Sequence, residues 1–583
     1  MGITEFDLII RDGTVIDGSG SPPRKADVAI TDGVIAGVGT AEGGEGTVDG
    51  DARTEIDATG LLVTPGFVDI HTHYDGQATW SNRMTPSSWH GVTTVVMGNC
   101  GVGFAPCRPE DHHRLIELME GVEDIPGVVL DEGLSWNWES FGEYLDALDD
   151  TARDVDVVAQ LPHGALRLYV MGERAARLEP ATESDIAEMA DLARAAIDAG
   201  AIGFSSSRTL NHRTSTGDPT PTLKASADEL AGIAEALRDA GTGVLQFVTD
   251  FTDAATEMAM LEDLSRQSGR PLSVSLAQSG PGDSWKHLLD WIERANDAGV
   301  ALRGQVAGRP VGLMLGFDLT LNPFMSCSSF RALTSLETVD KLAALCTAAT
   351  RNSILAESAD ADPSLLDDFT RIFVLGDPPD YEQPADQTVA ARAEQTGVPA
   401  AEYAYDTMVQ DSGEAMLYLP FLNYADGSLE PSLAMMRSPH TVLGLGDGGA
   451  HLGTICDASF TTHMLTHWTR DRTRGDTIPV ETAVAWHTRD TAAAVGLADR
   501  GILAPGYKAD LNVIDYDGLA ILPPQTARDL PAGGRRLIQR ANGYRYTIVS
   551  GQVTYRDGVA TDALPGRLVR GVQPEPATAG GPT

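Results

Sequence analysis

The chain has 583 residues, and its 42 basic and 83 acidic side chains give a formal net charge of −41. Proteins that bind duplex nucleic acid need clustered Lys and Arg, so this acidity excludes nucleic acid and anionic membranes as expected partners. The 42% hydrophobic and 21% charged residues are typical of a globular protein rather than a disordered one. Five Cys, no basic leader and no apolar run of about 18 residues predict a cytoplasmic protein with free thiols.

Short β-branched runs separated by Asp-Gly and Gly-rich turns occur near both ends of the chain, over residues 6–63 and 509–561. Such runs are typical of hairpins in a small antiparallel sheet. We therefore predict a small β-sandwich domain built from residues 1–62 and 497–565. The remaining residues, 566–583, end in Pro, Gly and Ala without periodicity and are predicted to form a flexible tail.

Between these ends, apolar strands alternate with Ala-rich, acidic helical segments, which predicts a parallel sheet covered by helices. The predicted strands end at His73, Cys100, His163, Ser207, Asp250, Gln278, Arg309 and Asp447. Eight strands predict an α/β fold of the closed (β/α)8 TIM-barrel type over residues 63–496, with a long insertion at about 310–440. Each run changes from apolar to polar at its carboxyl end, where barrel enzymes place their active sites.

A pair of histidines follows the first predicted strand, in the segment PGFVDIHTH. Residues two apart in a strand point to the same face, so the imidazoles of His71 and His73 can bind one cation. Asp447, in LGLGDGGAH, stands at the end of the eighth predicted strand. A carboxylate opposite the pair can ligate the cation and accept the proton of an activated water. These three residues predict a divalent metal site.

Several segments together resemble the amidohydrolase superfamily and, within it, the D-aminoacylase (N-acyl-D-amino-acid deacylase) group. They are PGFVDIHTH, GNCGVGFAP, HGALRLYVMG, GAIGFSSS, GDGGAH and DRGILAPGYKADLNVID. The resemblance covers about residues 5–560. It implies a metal-dependent hydrolase that cleaves the amide bond of N-acyl-D-amino acids or related N-acylated small acids. The expected partner is therefore a small molecule, and assembly into a homo-oligomer is left open.

The resemblance also implies a role for Cys100. Hydantoinases and dihydroorotases of the superfamily use a carbamylated Lys that bridges two metals, but no Lys stands at a predicted strand end here. In the D-aminoacylase group a Cys at the end of the second strand takes the bridging place, which Cys100 occupies. Because a thiolate is a good zinc ligand, Zn²⁺ is the expected ion, with Cys100 joining His71, His73 and Asp447. A buried structural thiol is the alternative.

The sequence departs from this group at two strand ends. Group members carry one His at the end of the fifth strand and another at the end of the sixth, and these hold the tighter metal with the Cys. The corresponding runs here, GVLQFVTDF and PLSVSLAQS, contain no His. We therefore expect one metal ion rather than two. Asp250 as a substitute ligand, and Gln246 and Gln278 as substrate contacts, are the hypotheses for these positions.

Other polar residues near predicted strand ends are candidates for contact with substrate. His163 matches the HGxxR element of the group and is predicted to polarise a substrate oxygen, with a buried structural His as the alternative. Ser206 lies near the end of the fourth predicted strand, and Arg208 and His212 lie in the loop after it. A hydroxyl and a cation at this place can bind a carboxylate. Arg309 is a second candidate clamp, because guanidinium binds carboxylates bidentately.

The spacing of three further histidines raises the question of a second metal site. His451 follows Asp447 by four residues, and His463 and His467 are spaced to share one helix face. Because that helix should lie outside the barrel, packing or surface roles are predicted for all three.

The predicted mechanism begins with attack of an activated water on the acyl carbonyl, which is polarised by the metal or by His163. Asp447 takes the proton of the water and passes it to the leaving amine. Two alternatives stay open because of the missing histidines. One is a cyclic-amide or other C–N hydrolase of the same superfamily. The other is a non-catalytic oligomeric scaffold that has lost part of the metal site.

Overall fold

The computed structural model describes residues 5–39, 48 and 50–577. Its strands are β1 (Glu5–Val15), β2 (Arg24–Thr31), β3 (Val34–Gly39), β4 (Asp51–Asp57), β5 (Leu62–Pro65), β6 (Phe67–Asp69), β7 (Val92–Met97), β8 (Asp156–Ala159), β9 (Leu161–Pro162), β10 (Gly203–Arg208), β11 (Val244–Thr249), β12 (Leu272–Ser275), β13 (Leu302–Val306), β14 (Val311–Leu315), β15 (Leu417–Leu422), β16 (Thr441–Leu443), β17 (Leu511–Ile514), β18 (Ala520–Ile521), β19 (Gln525–Ala527), β20 (Arg536–Ile538), β21 (Ala541–Asn542), β22 (Tyr544–Val549), β23 (Gln552–Arg556) and β24 (Val559–Ala560).

The α-helices are α1 (Gln77–Trp80), α2 (His112–Glu123), α3 (Gly127–Gly133), α4 (Phe141–Asp149), α5 (His163–Met171), α6 (Glu173–Ala176), α7 (Glu183–Ala199), α8 (Ala227–Ala240), α9 (Ala254–Ser268), α10 (Ser284–Asp297), α11 (Ser328–Arg331), α12 (Thr338–Leu345), α13 (Ala348–Ala359), α14 (Val389–Thr396), α15 (Ala400–Met408), α16 (Glu430–Met436), α17 (Phe460–His463), α18 (Val480–His487) and α19 (Arg489–Ala494). Two of the Ala-rich, acidic helices begin at side-chain caps, which are Thr182 for α7 and Ser226 for α8. No described helix is long and apolar enough to cross a membrane.

Both ends of the chain contribute strands to one nine-stranded sheet. Its order is β24-β23-β22-β17-β5-β1-β2-β3, and β4 also pairs with β1. Asp32 and Gly33, between β2 and β3, have φ of 51° and 76°, the left-handed pair that a tight hairpin turn requires. β5 pairs in parallel with β1 and antiparallel with β17, so segments from the two chain ends bond directly. Arrangement of this region as a two-layered sandwich stays a prediction.

Strands and helices alternate through the central region, which makes the fold mixed α/β as predicted. The parallel strands form two sheets, β6-β7-β8 and β16-β13-β12-β11-β10-β9. One continuous closed barrel is therefore not seen in the described residues, and closure of the barrel stays a prediction. The sheets are interrupted between β16 and β6 and again at Gln160, between β8 and β9. The side chain of Gln160 is buried and donates to Asn99 Oδ1 over 2.9 Å.

Much of the predicted insertion at 310–440 packs on a core of its own. Its strands β14 and β15 pair antiparallel, and α11 to α15 lie between them in the chain. Leu315, Phe317, Tyr405 and Leu417 are among the buried residues of this core. The insertion is thus folded structure beside the parallel sheets.

Part of the predicted flexible tail is bonded to the parallel sheets. The amide of Val157 in β8 donates to Arg567 O over 3.0 Å, and the amide of Val569 donates back to Val157 O over 2.9 Å. Leu568 and Val569 are buried. The apolar side chains of Leu568 and Val569 explain this packing. The high Pro and Gly content of the tail instead predicts a flexible segment. Residues 578–583 lie outside the described part of the chain.

Candidate metal centre

His71 and His73 follow β6 and are held by backbone hydrogen bonds on both sides. The amide of Thr72 donates to Val96 O over 3.0 Å, and the amide of His73 donates to Gly448 O over 2.8 Å. Both imidazoles are buried, and their ring centroids are 5.6 Å apart. The short extended segment therefore presents both rings to one interior space.

Cys100 lies immediately beyond the end of β7 and points its sulfur at the histidine pair. Its Sγ is 3.2 Å from His71 Nε2, and one ligand atom from each of His71, His73 and Cys100 lies within 4.8 Å of the others. The backbone amide of Cys100 donates to Gln246 Oε1 over 3.0 Å. Three of the four predicted ligands are thus brought together, and a glutamine of the fifth predicted strand supports them.

Asp447, in the loop after β16, approaches the two imidazoles but is not one of the three residues whose ligand atoms all lie within 4.8 Å of one another. Its Oδ1 lies 3.4 Å from His71 Nε2 and 3.8 Å from His73 Nε2. On the other side of the first ring, His71 Nδ1 is 2.7 Å from Gln305 Oε1, an oxygen that can only accept. The proton of His71 therefore belongs on Nδ1, which leaves Nε2 free to ligate a cation.

Four residues near this group were not proposed as site residues from the sequence. Glu123 Oε1 lies 3.3 Å from His73 Nδ1, and Glu123 Oε2 lies 3.7 Å from His451 Nε2. Asp69 and Asp75 are also buried beside the pair. His451 Nε2 also lies 4.0 Å from Asp447 Oδ2, and its predicted packing or surface role stays a prediction. No spacing pattern pointed to Glu123 at the end of α2.

Burial shifts the protonation of the whole cluster. It raises the pKa of Asp75 to about 7 and that of Asp69 to about 8. It also raises the pKa of the Cys100 thiol well above its usual range, and the negative charges of Glu123 and Asp447 add to this shift. Burial lowers the pKa of His71 to about 4. Burial therefore disfavours the charged forms of the acids, the thiol and the imidazoles alike.

This donor set fits a divalent metal. Imidazole nitrogen, thiolate sulfur and carboxylate oxygen are the ligands that zinc prefers. His73 Nδ1, Glu123 Oε1 and Asp75 Oδ2 are buried without a hydrogen-bond partner among the described residues. A buried carboxylate without a partner is costly, and a cation beside it would offset that cost.

His163 and Ser206 belong to a separate buried network. His163 Nδ1 lies 2.8 Å from Ser206 Oγ, and His163 Nε2 lies 3.0 Å from Glu229 Oε1. The same carboxylate oxygen accepts from Arg167 Nε over 2.7 Å. Because both ring nitrogens are engaged, the predicted polarising role of His163 has no support in the geometry, and the structural alternative fits.

The two predicted carboxylate clamps are already occupied by acidic partners. Arg208 binds Glu257 through two hydrogen bonds of 2.8 and 2.9 Å. Arg309 is buried, donates to Asp457 Oδ1 over 2.5 Å and stacks 4.0 Å from the ring centroid of Tyr381. Neither guanidinium is free to bind a substrate carboxylate, which corrects the prediction for both.

Of the remaining predicted site residues, Gln278 and Asp250 bind loops. Gln278 donates to Asp426 Oδ2 over 2.6 Å and therefore holds a loop of the insertion. Asp250 likewise accepts from the amide of Leu210 over 2.7 Å. His212 differs, because its pKa is lowered to about 4 by burial and by the nearby imidazoles of His451 and His71. Its Nδ1 lies 2.8 Å from Ser207 Oγ, and its role as a substrate contact stays a prediction.

Comparison with known proteins gives a consistent result over nearly the whole chain. The model of the Amidohydrolase family matches residues 54–555. The D-aminoacylase of Alcaligenes xylosoxydans xylosoxydans is 29% identical over 579 residues, covering 97% of each chain. The N-acyl-D-aspartate deacylase of the same organism is 31% identical over 298 residues, covering 50% of this chain and 54% of the relative. A solved D-aminoacylase structure superimposes with a TM-score of 0.63 at 26% identity, covering 97% of this chain and 100% of that one.

Proposed function

The chain belongs to the amidohydrolase family, and on that basis we propose that it is a metal-dependent hydrolase of N-acyl-D-amino acids or related N-acylated small acids. The observation that carries the proposal is the convergence of His71, His73 and Cys100 ligand atoms within 4.8 Å of one another. The full-length similarity to a D-aminoacylase supports the substrate class.

We infer that the two parallel sheets are parts of one (β/α)8 barrel spanning about residues 63–496. β8 leads into β9 with only Gln160 between them, and an isolated parallel bridge joins Thr72 to Gly448 beyond β16. Both contacts support closure of the ring. We further propose that residues 1–62 and 497–565 form the companion β-sandwich, because both ends share the nine-stranded sheet. The unpaired state of all five Cys supports a cytoplasmic location.

We propose one divalent ion, Zn²⁺, held by His71, His73, Cys100 and Asp447. When bound, this ion supplies Lewis acidity that makes water a nucleophile near neutral pH and polarises the acyl carbonyl. Gln305 holds His71 in the tautomer that a ligand needs. The neutral state of His71 follows from its lowered pKa of about 4, so protons do not compete for this nitrogen near pH 7.

Asp447 is the residue placed to move the proton. Its Oδ1 faces both imidazoles, and burial raises its pKa, which makes the carboxylate a better proton acceptor. In the proposed reaction the oxygen of water adds to the acyl carbon and its proton passes to Asp447. The C–N bond then breaks, and Asp447 returns the proton to the leaving amine nitrogen. His212 is the proposed contact for the substrate carboxylate.

Substitution of Asp447 tests this assignment. We expect Asp447→Asn to lower kcat on N-acyl-D-amino acids by about 10²-fold or more, because an amide cannot take the proton. Metal content, measured by elemental analysis, should stay close to that of the unsubstituted protein, because His71, His73 and Cys100 remain.

The matched control is Asp131→Asn, which changes an exposed carboxylate of α3 in the same way. Its kcat should equal that of the unsubstituted protein. Undiminished activity of Asp447→Asn would refute the proposed proton transfer.

A further inference from the structure

Glu123 is a buried carboxylate that faces the metal centre from the end of α2. It is 1% exposed. Its ion-pair contacts are with two histidines, His73 at 3.3 Å and His451 at 3.7 Å. Among the described residues, no Lys or Arg makes an ion pair with it. Its charge must therefore be balanced by a proton, by an imidazolium or by a cation held close by.

The two histidines of the pair have matching surroundings. His71 directs Nδ1 to Gln305 Oε1 at 2.7 Å and Nε2 to Cys100 Sγ at 3.2 Å. His73 directs Nδ1 to Glu123 Oε1 at 3.3 Å and Nε2 to Asp447 Oδ1 at 3.8 Å. Each ring thus has one nitrogen toward the ligand group and the other toward an oxygen. In metal-bound histidines the second nitrogen donates to a carboxylate or carbonyl that fixes the ring. His73 Nδ1 and Glu123 Oε1 face each other in this way, although neither atom has a hydrogen-bond partner among the described residues.

The end of α2 also holds the loop that carries Asp447. The amide of His451 donates to the backbone oxygen of Glu123. The amide of Gly453 donates to Asp124 Oδ2 over 3.0 Å. Backbone and side chains of two consecutive residues therefore join α2 to the loop over residues 447–453. Of these two residues, only Glu123 directs its side chain toward the histidine pair.

We propose that Glu123 is a positioning residue of the metal centre, which accepts the Nδ1 proton of His73 and places a negative charge beside the bound cation. The runs at the fifth and sixth predicted strand ends carry no His, so the centre depends more on anionic groups around the pair. This inference rests on the proposed function, because it requires a divalent metal at His71, His73 and Cys100.

Metal binding by the full-length protein tests the proposal. Chelator-treated protein is titrated with Zn²⁺ for affinity and with Co²⁺ for the visible absorption spectrum. We expect Glu123→Gln to weaken Zn²⁺ binding by about 10- to 100-fold and to change the Co²⁺ spectrum. Gln has the size of Glu and leaves the backbone contact to His451 intact.

Two variants separate the charge of Glu123 from its structural surroundings. Asp124→Asn keeps an acceptor for Gly453 and does not face His73, so its Zn²⁺ affinity should stay within about 3-fold of the unsubstituted protein. Glu123→Asp restores the carboxylate on a shorter side chain and should recover part of the affinity lost in Glu123→Gln. Circular dichroism of the metal-free variants checks that each one folds.

The possible outcomes are distinct. If the unsubstituted protein binds neither ion, the proposed function fails and the role of Glu123 fails with it. If that protein binds Zn²⁺ and Glu123→Gln binds it equally well with the same Co²⁺ spectrum, only the role of Glu123 is overturned. A Glu123→Asp variant that binds no better than Glu123→Gln would also overturn it, because the charge would then have no effect.

Discussion

Three residues of the metal centre have a left-handed backbone conformation, which residues other than Gly rarely adopt. Cys100, Asp447 and His451 have φ of 56°, 46° and 52°. For residues other than Gly, such left-handed conformations cost about 1 kcal/mol or more each, and they persist where surrounding contacts fix them. Their concentration at one place supports the assignment of this place as the functional site.

At the level of single residues, the sequence pointed to residues that the structure brings together more readily than to the residues around them. The group of His71, His73, Cys100 and Asp447 follows from positions at strand ends and from motif resemblance. Arg208 and Arg309 were misjudged because their acidic partners are 49 and 148 residues away in the chain. Glu123 was missed because its approach to His73 depends on the path of a loop, which no local pattern records.

His487 makes stability depend on pH independently of any metal. It is buried between the rings of Phe67 and Phe460, and neither ring nitrogen has a partner among the described residues. Burial lowers its pKa from 6.5 to about 3. The unfolded chain therefore binds a proton below pH 6.5 that the folded protein does not bind, so the contribution to stability is complete above 6.5 and is lost as pH falls toward 3.

We expect His487→Phe to remove this dependence. Lowering the pH from 8 to 5 should cost the unsubstituted protein about 2 kcal/mol of unfolding free energy more than the variant. Urea denaturation of both proteins at the two pH values measures this difference. A difference in unfolding free energy between the two proteins that is the same at both pH values does not affect the comparison. Equal losses of stability in both proteins would contradict the neutral, buried state of His487.

At the level of elements, Arg309 connects the insertion to the parallel sheets. It follows β13, binds Asp457 near the start of α17 and stacks on Tyr381 of the insertion. The guanidinium keeps the pKa of Asp457 from rising further than about 6 against the effect of burial. Loss of this group would leave a buried carboxylate unpaired.

We expect Arg309→Met to destabilise the protein by about 3–5 kcal/mol, because one partner of a buried pair is removed. KM of the folded variant should be unchanged. The double variant Arg309→Met/Asp457→Leu should recover part of the stability. Thermal or urea unfolding measures these effects, and a raised KM with unchanged stability would instead favour the carboxylate clamp suggested by the sequence.

The elements themselves were predicted unevenly. Hairpins with Asp-Gly turns and alternating strands and helices follow from local patterns, which is why the mixed α/β class was predictable. The break at Gln160 and the packing of Leu568 and Val569 on β8 depend on contacts between distant segments. A sequence read segment by segment contains no direct signal for such contacts.

At the level of the whole molecule, the chain carries a formal net charge of −41. A net charge far from zero favours solubility. The metal centre is itself rich in acids, with Glu123, Asp69, Asp75 and Asp447 around two neutral imidazoles. The interior therefore attracts a cation, and the cation in turn allows an anionic substrate to approach.

The central claim is that this protein is a metal-dependent hydrolase of N-acyl-D-amino acids. The most direct test measures initial rates on paired N-acetyl-D- and N-acetyl-L-amino acids, with cyclic amides included, using untreated, chelator-treated and Zn²⁺-restored protein. We predict hydrolysis of the D-enantiomers, loss of that rate on chelation and its return with about one equivalent of Zn²⁺. Hydrolysis that survives removal of the metal, or a preference for cyclic amides over every N-acetyl-D-amino acid tested, would contradict the claim.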